Sequence, residues 1–149
     1  MPAYSPQSAA RLSTCHSDLQ KVFGRVIETF DHSIECGERN KAEQDKAFAE
    51  KRSTTPWPGS KHNRRPSDAV DAMPWPYSWR DLEGKNGAFV QQKALLRCGM
   101  FIGYVLRVAE EMHAAGEISA RIVSGVDWDG DWNVAEHSFV DVPHFQRAV

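Results

Sequence analysis

The sequence lacks any stretch that would address or anchor a chain in a membrane. Met1–Ala10 has no basic cluster followed by an apolar run, so no secretory signal is expected. The most apolar segment, Ala94–Met112, is broken by Arg97, Gly99, Gly103, Arg107 and the Glu110–Glu111 pair, which excludes a membrane span. Cysteine is scarce. Cys15, Cys36 and Cys98 are odd in number and far apart, so they form neither a C-x-x-C metal knuckle nor a disulfide framework. Free thiols in a reducing compartment are the expectation. Net charge is also small, at -2, and gives no electrostatic ground for a nucleic-acid or membrane partner. Internal repeats and linker-like stretches are absent too. A cytoplasmic chain follows, one that depends on another agent for access to anything outside the membrane.

What remains is enough for a globule. The 149 residues are a typical single-domain length, with 41% hydrophobic and 26% charged residues. One domain spanning 1–149, with its core at about 12–146, is expected. Charge is uneven along it. Gly37–Arg65 carries eight Lys or Arg against four acids, and Asp127–Asp141 carries five acids and no Lys or Arg. Such asymmetry fits a charged cleft as well as ordinary solvated faces.

Apolar spacing at Leu19, Val22, Phe23, Val26, Ile27 and Phe30 predicts an amphipathic helix, with Ser17 and Gln20 as its capping box. A short strand at His32–Cys36 follows. Asn40 with Glu43 reads as a second capping box, opening a helix to about Glu50. Lys51–Asp68 is a Pro-, Ser- and Thr-rich loop, and Ala69–Met73 a short strand. A second loop carries Pro74, Trp75, Pro76, Tyr77 and Trp79. A long buried helix should run from about Gly87 to Ala115 and end at Gly116. Ile118–Val123 is expected as a strand, Ser124–Ser138 as an acidic loop and Phe139–Phe145 as the last strand. Long helices among short strands predict an α+β fold, a small, mainly antiparallel sheet with helices packed to one side.

Three segments gather residues that bind metals or move protons. They are Ser60-Lys61-His62 with Ala69-Val70-Asp71, Asp141-Val142-Pro143-His144, and Gly37-Glu38-Arg39 with Gln44. A catalytic zinc needs about three protein ligands and an open position for water. Two histidines and a carboxylate meet that need, and a further carboxylate is required to accept the water's proton. His62, Asp71 and His144 could be the ligands and Asp141 the base. Six histidines and twenty acids also offer many accidental pairings of this kind.

Taken together, the three segments resemble the D-Ala-D-Ala metallopeptidases, a family that includes the VanX and VanY type enzymes and phage endolysins acting as L-alanyl-D-glutamate peptidases. Ser60-Lys61-His62…Ala69-Val70-Asp71 resembles the S-x-H…A-x-D signature. Asp141-Val142-Pro143-His144-Phe145 resembles the second element, and Gly37-x-Arg39 with Gln44 the upstream one. The loop Gly125–Asp131 is similar to the acidic, Trp-containing loop of phage versions. The resemblance covers roughly Leu12 to Gln146.

The resemblance implies one Zn2+ per chain on His62, Asp71 and His144, with the zinc site at the sheet. It implies Asp141 as general base and Arg39 as the group that polarises the scissile carbonyl or holds substrate. Gln44 and Ser60 are implied to line or brace the site. Eight residues separate His62 from Asp71, more than in familiar members, so Arg64-Arg65-Pro66 reads as a small insertion. Asp68 is the competing ligand but lacks the Ala-Val lead-in.

The implied activity is an endolysin-like zinc peptidase acting on the L-alanyl-D-glutamate bond of peptidoglycan stem peptides. The alternatives are a D-Ala-D-Ala carboxypeptidase or dipeptidase, or a zinc-stabilised wall-binding module without catalysis. A phage-encoded monomer with no separate wall-binding domain, waiting in the host cytoplasm for a holin, completes that picture.

Plainer readings stand beside these. Arg39 could be a solvated residue before a helix, Gln44 a structural helical residue, and the five tryptophans loop packing with one or two in a groove. Asp127-x-Asp129-Gly130-Asp131-x-Asn133 resembles a Ca2+ loop but lacks its glycine at position six and its Glu at twelve, so a solvated acidic loop is the reading preferred. His16, His32, His113 and His137 receive no role.

Overall fold

A computed structural model describes residues 1–149. The chain opens with a helix absent from the sequence reading, α1 (Pro6–Ser13). Its signal is present nonetheless. Ser5 Oγ accepts from the Ser8 backbone N–H, and Pro6 occupies the first helical position, where a missing N–H costs nothing. Helix α2 (Ser17–Val26) buries Leu19, Val22, Phe23 and Val26 as the spacing demands. Its cap differs from expectation. His16, not Ser17, is the N-cap, and its Nδ1 accepts from the Asp18 N–H at 3.1 Å.

Strand β1 (His32–Cys36) falls where expected. Helix α3 (Lys41–Ala49) is opened by the anticipated Asn40/Glu43 box, both arms of which measure 2.9 Å. A 3₁₀ turn at Lys61–Asn63 interrupts the long loop before β2 (Ala69–Pro74). The second loop contains a short helix, α4 (Trp79–Leu82). Helix α5 (Ala88–Ala114) runs for 27 residues. Gly116, at φ +72°, closes it while the Gly116 and Glu117 N–H groups bond back to His113 and Met112.

Two strands are shifted from the expected bounds. β3 is Ile122–Ser124, since Ile118 is buried without a ladder partner. β4 is His144–Arg147, because Asp141–His144 closes a turn instead of extending a strand. Phe139 and Val140 lie ahead of it, both exposed.

The sheet order is β1-β2-β4-β3, antiparallel throughout. Helices α2 and α5 pack against one of its faces. Leu19, Val22 and Phe23 meet Phe101, Val105 and Met112 over Ile34, Val70, Ala72 and Phe145. Phe145 is wedged between Phe23 and Phe101 at centroid distances of 5.4 and 6.0 Å. Strand alternation then decides where the polar residues go. Val70 and Ala72 point into the core, so Asp71 points out of the other face. Phe145 points in, so its neighbours His144 and Gln146 point out. Asp71 and His144 are direct cross-strand partners on that open face. No helix is long and apolar enough to cross a membrane.

Candidate metal centre and groove

The third histidine-or-acid donor arrives from the loop. Ser60 caps the 3₁₀ turn, its Oγ accepting from the His62 N–H at 3.2 Å, while Asn63 Oδ1 accepts from the Ser60 N–H at 3.1 Å. The Arg39 N–H bonds the His62 carbonyl at 2.8 Å. These contacts press His62, 2% exposed, against the open face of the sheet.

Three donor atoms then form a triangle. His62 Nε2 lies 3.2 Å from Asp71 Oδ1 and 3.3 Å from His144 Nδ1, and His144 Nδ1 lies 3.2 Å from Asp71 Oδ1. Tetrahedral coordination with bonds of about 2.0–2.1 Å requires donors about 3.3–3.4 Å apart. Proton placement points the same way. The Gly37 carbonyl 2.7 Å from His62 Nδ1 can only accept, so that nitrogen carries the hydrogen. His144 Nε2 donates to Gln146 Oε1 at 3.0 Å. Both inward nitrogens therefore present lone pairs, beside a carboxylate oxygen. A cation satisfies all three at once, and the outer hydrogen bonds fix both ring orientations as metal-site partners do. The residues fit a zinc ion.

Without a cation such a cluster must hold a proton. Burial opposes a charge on His62, but the Asp71 carboxylate outweighs it and raises the histidine to about 10. Burial alone would raise Asp71. His62 and His144 reverse that and hold it well below the usual carboxylate range.

Asp141 joins the cluster at its edge, with a carboxylate oxygen within 4.8 Å of donors on Asp71 and His144. Burial first, and then Asp71, push its carboxyl upward, against the pull of His144, His62 and Arg39. The turn that brings Asp141 beside His144 is closed by the His144 N–H on the Asp141 carbonyl at 3.2 Å. Gly125 holds that turn from below. It donates to the His144 carbonyl and accepts from the Asp141 N–H, both at 2.7 Å.

The remaining expected site residues also have definite places. Arg39 is not a solvated residue. Its Nη2 lies 3.6 Å from Asp71 Oδ2, and its Nη1 donates to Gln44 Oε1 at 3.1 Å. Gln44 is fully buried and braces. Its amide donates to Ser53 Oγ and the Thr55 carbonyl, and its own oxygen also accepts from Asn63. Asp68 stands apart from the triangle, paired with Arg147 at 2.7 Å. The acidic loop is organised by Asp127, 3% exposed, whose carboxylate accepts from the N–H groups of Gly130, Asp131 and Trp132. Those oxygens are thus turned onto the loop's own backbone. Asp129 and His137 lie close to it as a further metal-capable group.

Three contributors receive no role of their own in the sequence analysis. Asn63 ties Arg39 and Gln44 to the His62 turn, and the Ser60-x-x-Asn63 spacing was its signal. Gly37 supplies the carbonyl for His62, and a Cβ there would lie 2.3 Å from the Arg11 carbonyl. Cys36 places its sulfur within 4.8 Å of donors on His62 and Asp71.

The triangle opens into a groove of about 1660 Å³, open solvent included. Arg39, Arg52 and Lys61 contribute positive charge to its lining, and Trp79, Trp128 and Phe139 contribute aromatic surface. Trp128 stacks on Phe139 and sits 5.2 Å from His144.

No family model matches the chain. A curated relative does. The L-alanyl-D-glutamate peptidase of Escherichia phage T5 is 30% identical over 132 residues, covering 85% of this chain and 93% of the relative. The chain belongs to the L-alanyl-D-glutamate peptidase family. The crystal structure of the Serratia marcescens L-Ala D-Glu endopeptidase ChiX shares the fold, with a TM-score of 0.65 at 22% identity over 97% of this chain and 90% of that one.

Proposed function

We propose that this chain is a zinc-dependent peptidoglycan peptidase that hydrolyses the L-alanyl-D-glutamate bond of wall stem peptides. The observation that carries it is the triangle of His62, Asp71 and His144 donor atoms, 3.2–3.3 Å apart at the floor of an open groove, in a chain of this family. A zinc ion held there supplies a Lewis acid and a water of lowered pKa.

The chain's own residues do the rest. Asp141 accepts the proton of the attacking water and returns it to the leaving amine of D-glutamate. Burial, and then Asp71, push its carboxyl upward, the direction that favours holding the proton between the two transfers. Arg39 presents a fixed, permanently charged fork to the developing oxyanion. Gln44 and Asn63 keep that fork in place, and Ser60 sets the turn that carries His62. The loop Asp127–Asn133 carries Trp128 at the groove, and a Ca2+ ion held within that loop belongs to the same proposal. A phage origin, cytoplasmic residence until a holin opens the membrane, and action as a monomer belong to the same proposal.

Digestion of purified peptidoglycan with mass spectrometry of the products tests the bond. New N-terminal D-glutamate amines are expected. Release of free D-alanine instead would make it a D,D-carboxypeptidase, and no new termini would leave a non-catalytic module. Elemental analysis should find one zinc per chain. Chelation should abolish turnover and zinc should restore it, whereas full activity in metal-free protein would overturn the mechanism.

A further inference from the structure

An aromatic run leads away from the groove at Trp79, and the peptide chemistry leaves it unused. Trp75, Tyr77 and Trp79 follow one another edge-to-face, at centroid distances of 6.3 and 5.5 Å. Trp79 lines the groove that holds the triangle. Trp75 is 51% exposed and Trp79 47%, and large apolar rings left this open on a soluble fold mark a surface that something covers. The segment carrying them is held firmly. Arg97 of α5 donates to the carbonyls of Trp75 and Pro76. Rings fixed in this way lose little further freedom when a ligand covers them.

We propose that Trp79, Tyr77 and Trp75 form a glycan-binding ledge, on which pyranose rings of the wall's sugar strand stack while the stem peptide lies over the triangle. The inference rests on the bond assigned above. L-Alanine is the residue that joins a stem peptide to its sugar, and one extended residue spans at most about 3.3–3.6 Å. Cleavage after L-alanine therefore brings a sugar ring into the groove or onto its rim. The charges divide accordingly. Arg39, Arg52 and Lys61 suit the carboxylates of D-glutamate and the residues beyond it. The sugars are uncharged where the peptide is attached, and they present apolar C–H faces that match aromatic rings. The chain would thus prefer stems still attached to glycan over free peptides.

The test compares a disaccharide-bearing stem peptide with the same peptide released from its sugar. Trp79→Ala should raise KM about tenfold on the disaccharide-bearing substrate, the worth of one good ring contact. It should leave zinc content unchanged and raise KM far less on the free peptide than on the disaccharide-bearing substrate. Trp75→Ala should act in the same sense on longer glycan fragments, and Trp79→Phe, which keeps a ring, should recover most of the loss. Equal losses on both substrates would place these rings on the peptide and overturn the ledge. So would an unchanged KM on the disaccharide-bearing substrate. Cosedimentation with glycan strands stripped of peptide gives an arm independent of cleavage. The unaltered chain should sediment with the strands and the Trp75→Ala/Trp79→Ala double variant should not; equal sedimentation rejects the ledge. If the unaltered chain frees no D-glutamate amine from either substrate, the assigned bond is wrong whatever the strands show.

Discussion

Adding one methyl group at Gly125 should disable the site without touching a donor atom. A Cβ there would lie 2.3 Å from the Asp141 carbonyl oxygen, 2.9 Å from His144 Cβ and 3.0 Å from Asp141 Cβ. Ordinary contact begins near 3.4 Å, so the turn Asp141–His144 must retreat by about 1 Å. The first obstacle is backbone and cannot swing aside as a flexible side chain would. Gly125 also bonds both ends of that turn at 2.7 Å, so the retreat stretches the contacts that aim Asp141 and His144. A displacement of about 1 Å at a reacting centre costs about 100-fold in rate. Gly125→Ala should therefore reduce wall-peptide turnover by about 100-fold, with weakened zinc retention, since His144 moves with the turn. The matching control is Gly99→Ala in α5, where a Cβ meets nothing within 4 Å. It should keep full activity and gain about 0.5–1 kcal/mol, because glycine is costly inside a helix. Turnover, zinc content and thermal midpoint on both variants settle the matter. Activity of Gly125→Ala within about twofold of the unaltered chain would show that the turn does not position the chemistry.

Asp141→Asn should leave zinc bound and the fold intact while turnover falls by about 10²–10⁴-fold, the worth of a positioned acid–base group; loss of zinc from this variant would make Asp141 a ligand. Asp71→Ala should lose zinc. Asp68→Ala should keep zinc and instead lower stability, because it frees Arg147, and elemental analysis with denaturant unfolding separates the two outcomes. Arg147 also binds Asp18 at 3.0 Å, and Ser119 donates to the same carboxylate at 2.8 Å. Burial would raise Asp18, but these partners more than offset it and depress the carboxyl. A depressed acid stabilises the fold above its unfolded value of about 3.9 and ceases to do so as pH falls through its lower folded value. Arg147→Met should therefore cost about 1–3 kcal/mol at neutral pH and less in strong acid. A loss as large at pH 2 as at pH 7 in urea titrations would contradict the clamp.

The elements best read in advance were those with local causes. The Asn40/Glu43 box, the glycine stop at Gly116 and the apolar stripe of α2 each depend on residues within about one or two turns of one another. The strand ends were misread because their limits are set elsewhere. Phe139 and Val140 have the composition of a strand, yet the Asp141–His144 turn and the hold of Gly125 delay pairing until His144. The same contrast runs through the site. His62, Asp71, Asp141 and His144 stood out by chemical type and by resemblance. Alternation places Val70 and Ala72 in the core and Asp71 beside His62 and His144, while Asp68 pairs with Arg147. Gly37 and Gly125 stand in the sequence only as members of the Gly37-x-Arg39 and Gly125–Asp131 segments, because what they contribute is an absent Cβ beneath another segment, and nothing in their neighbours names that segment. Yet these two glycines determine whether the donors converge. Gly37 delivers the carbonyl that fixes the ring of His62, and Gly125 the space in which Asp141 and His144 turn toward Asp71. The reactive groups are therefore legible as letters, while their convergence is a property of close backbone approach that only the folded chain displays.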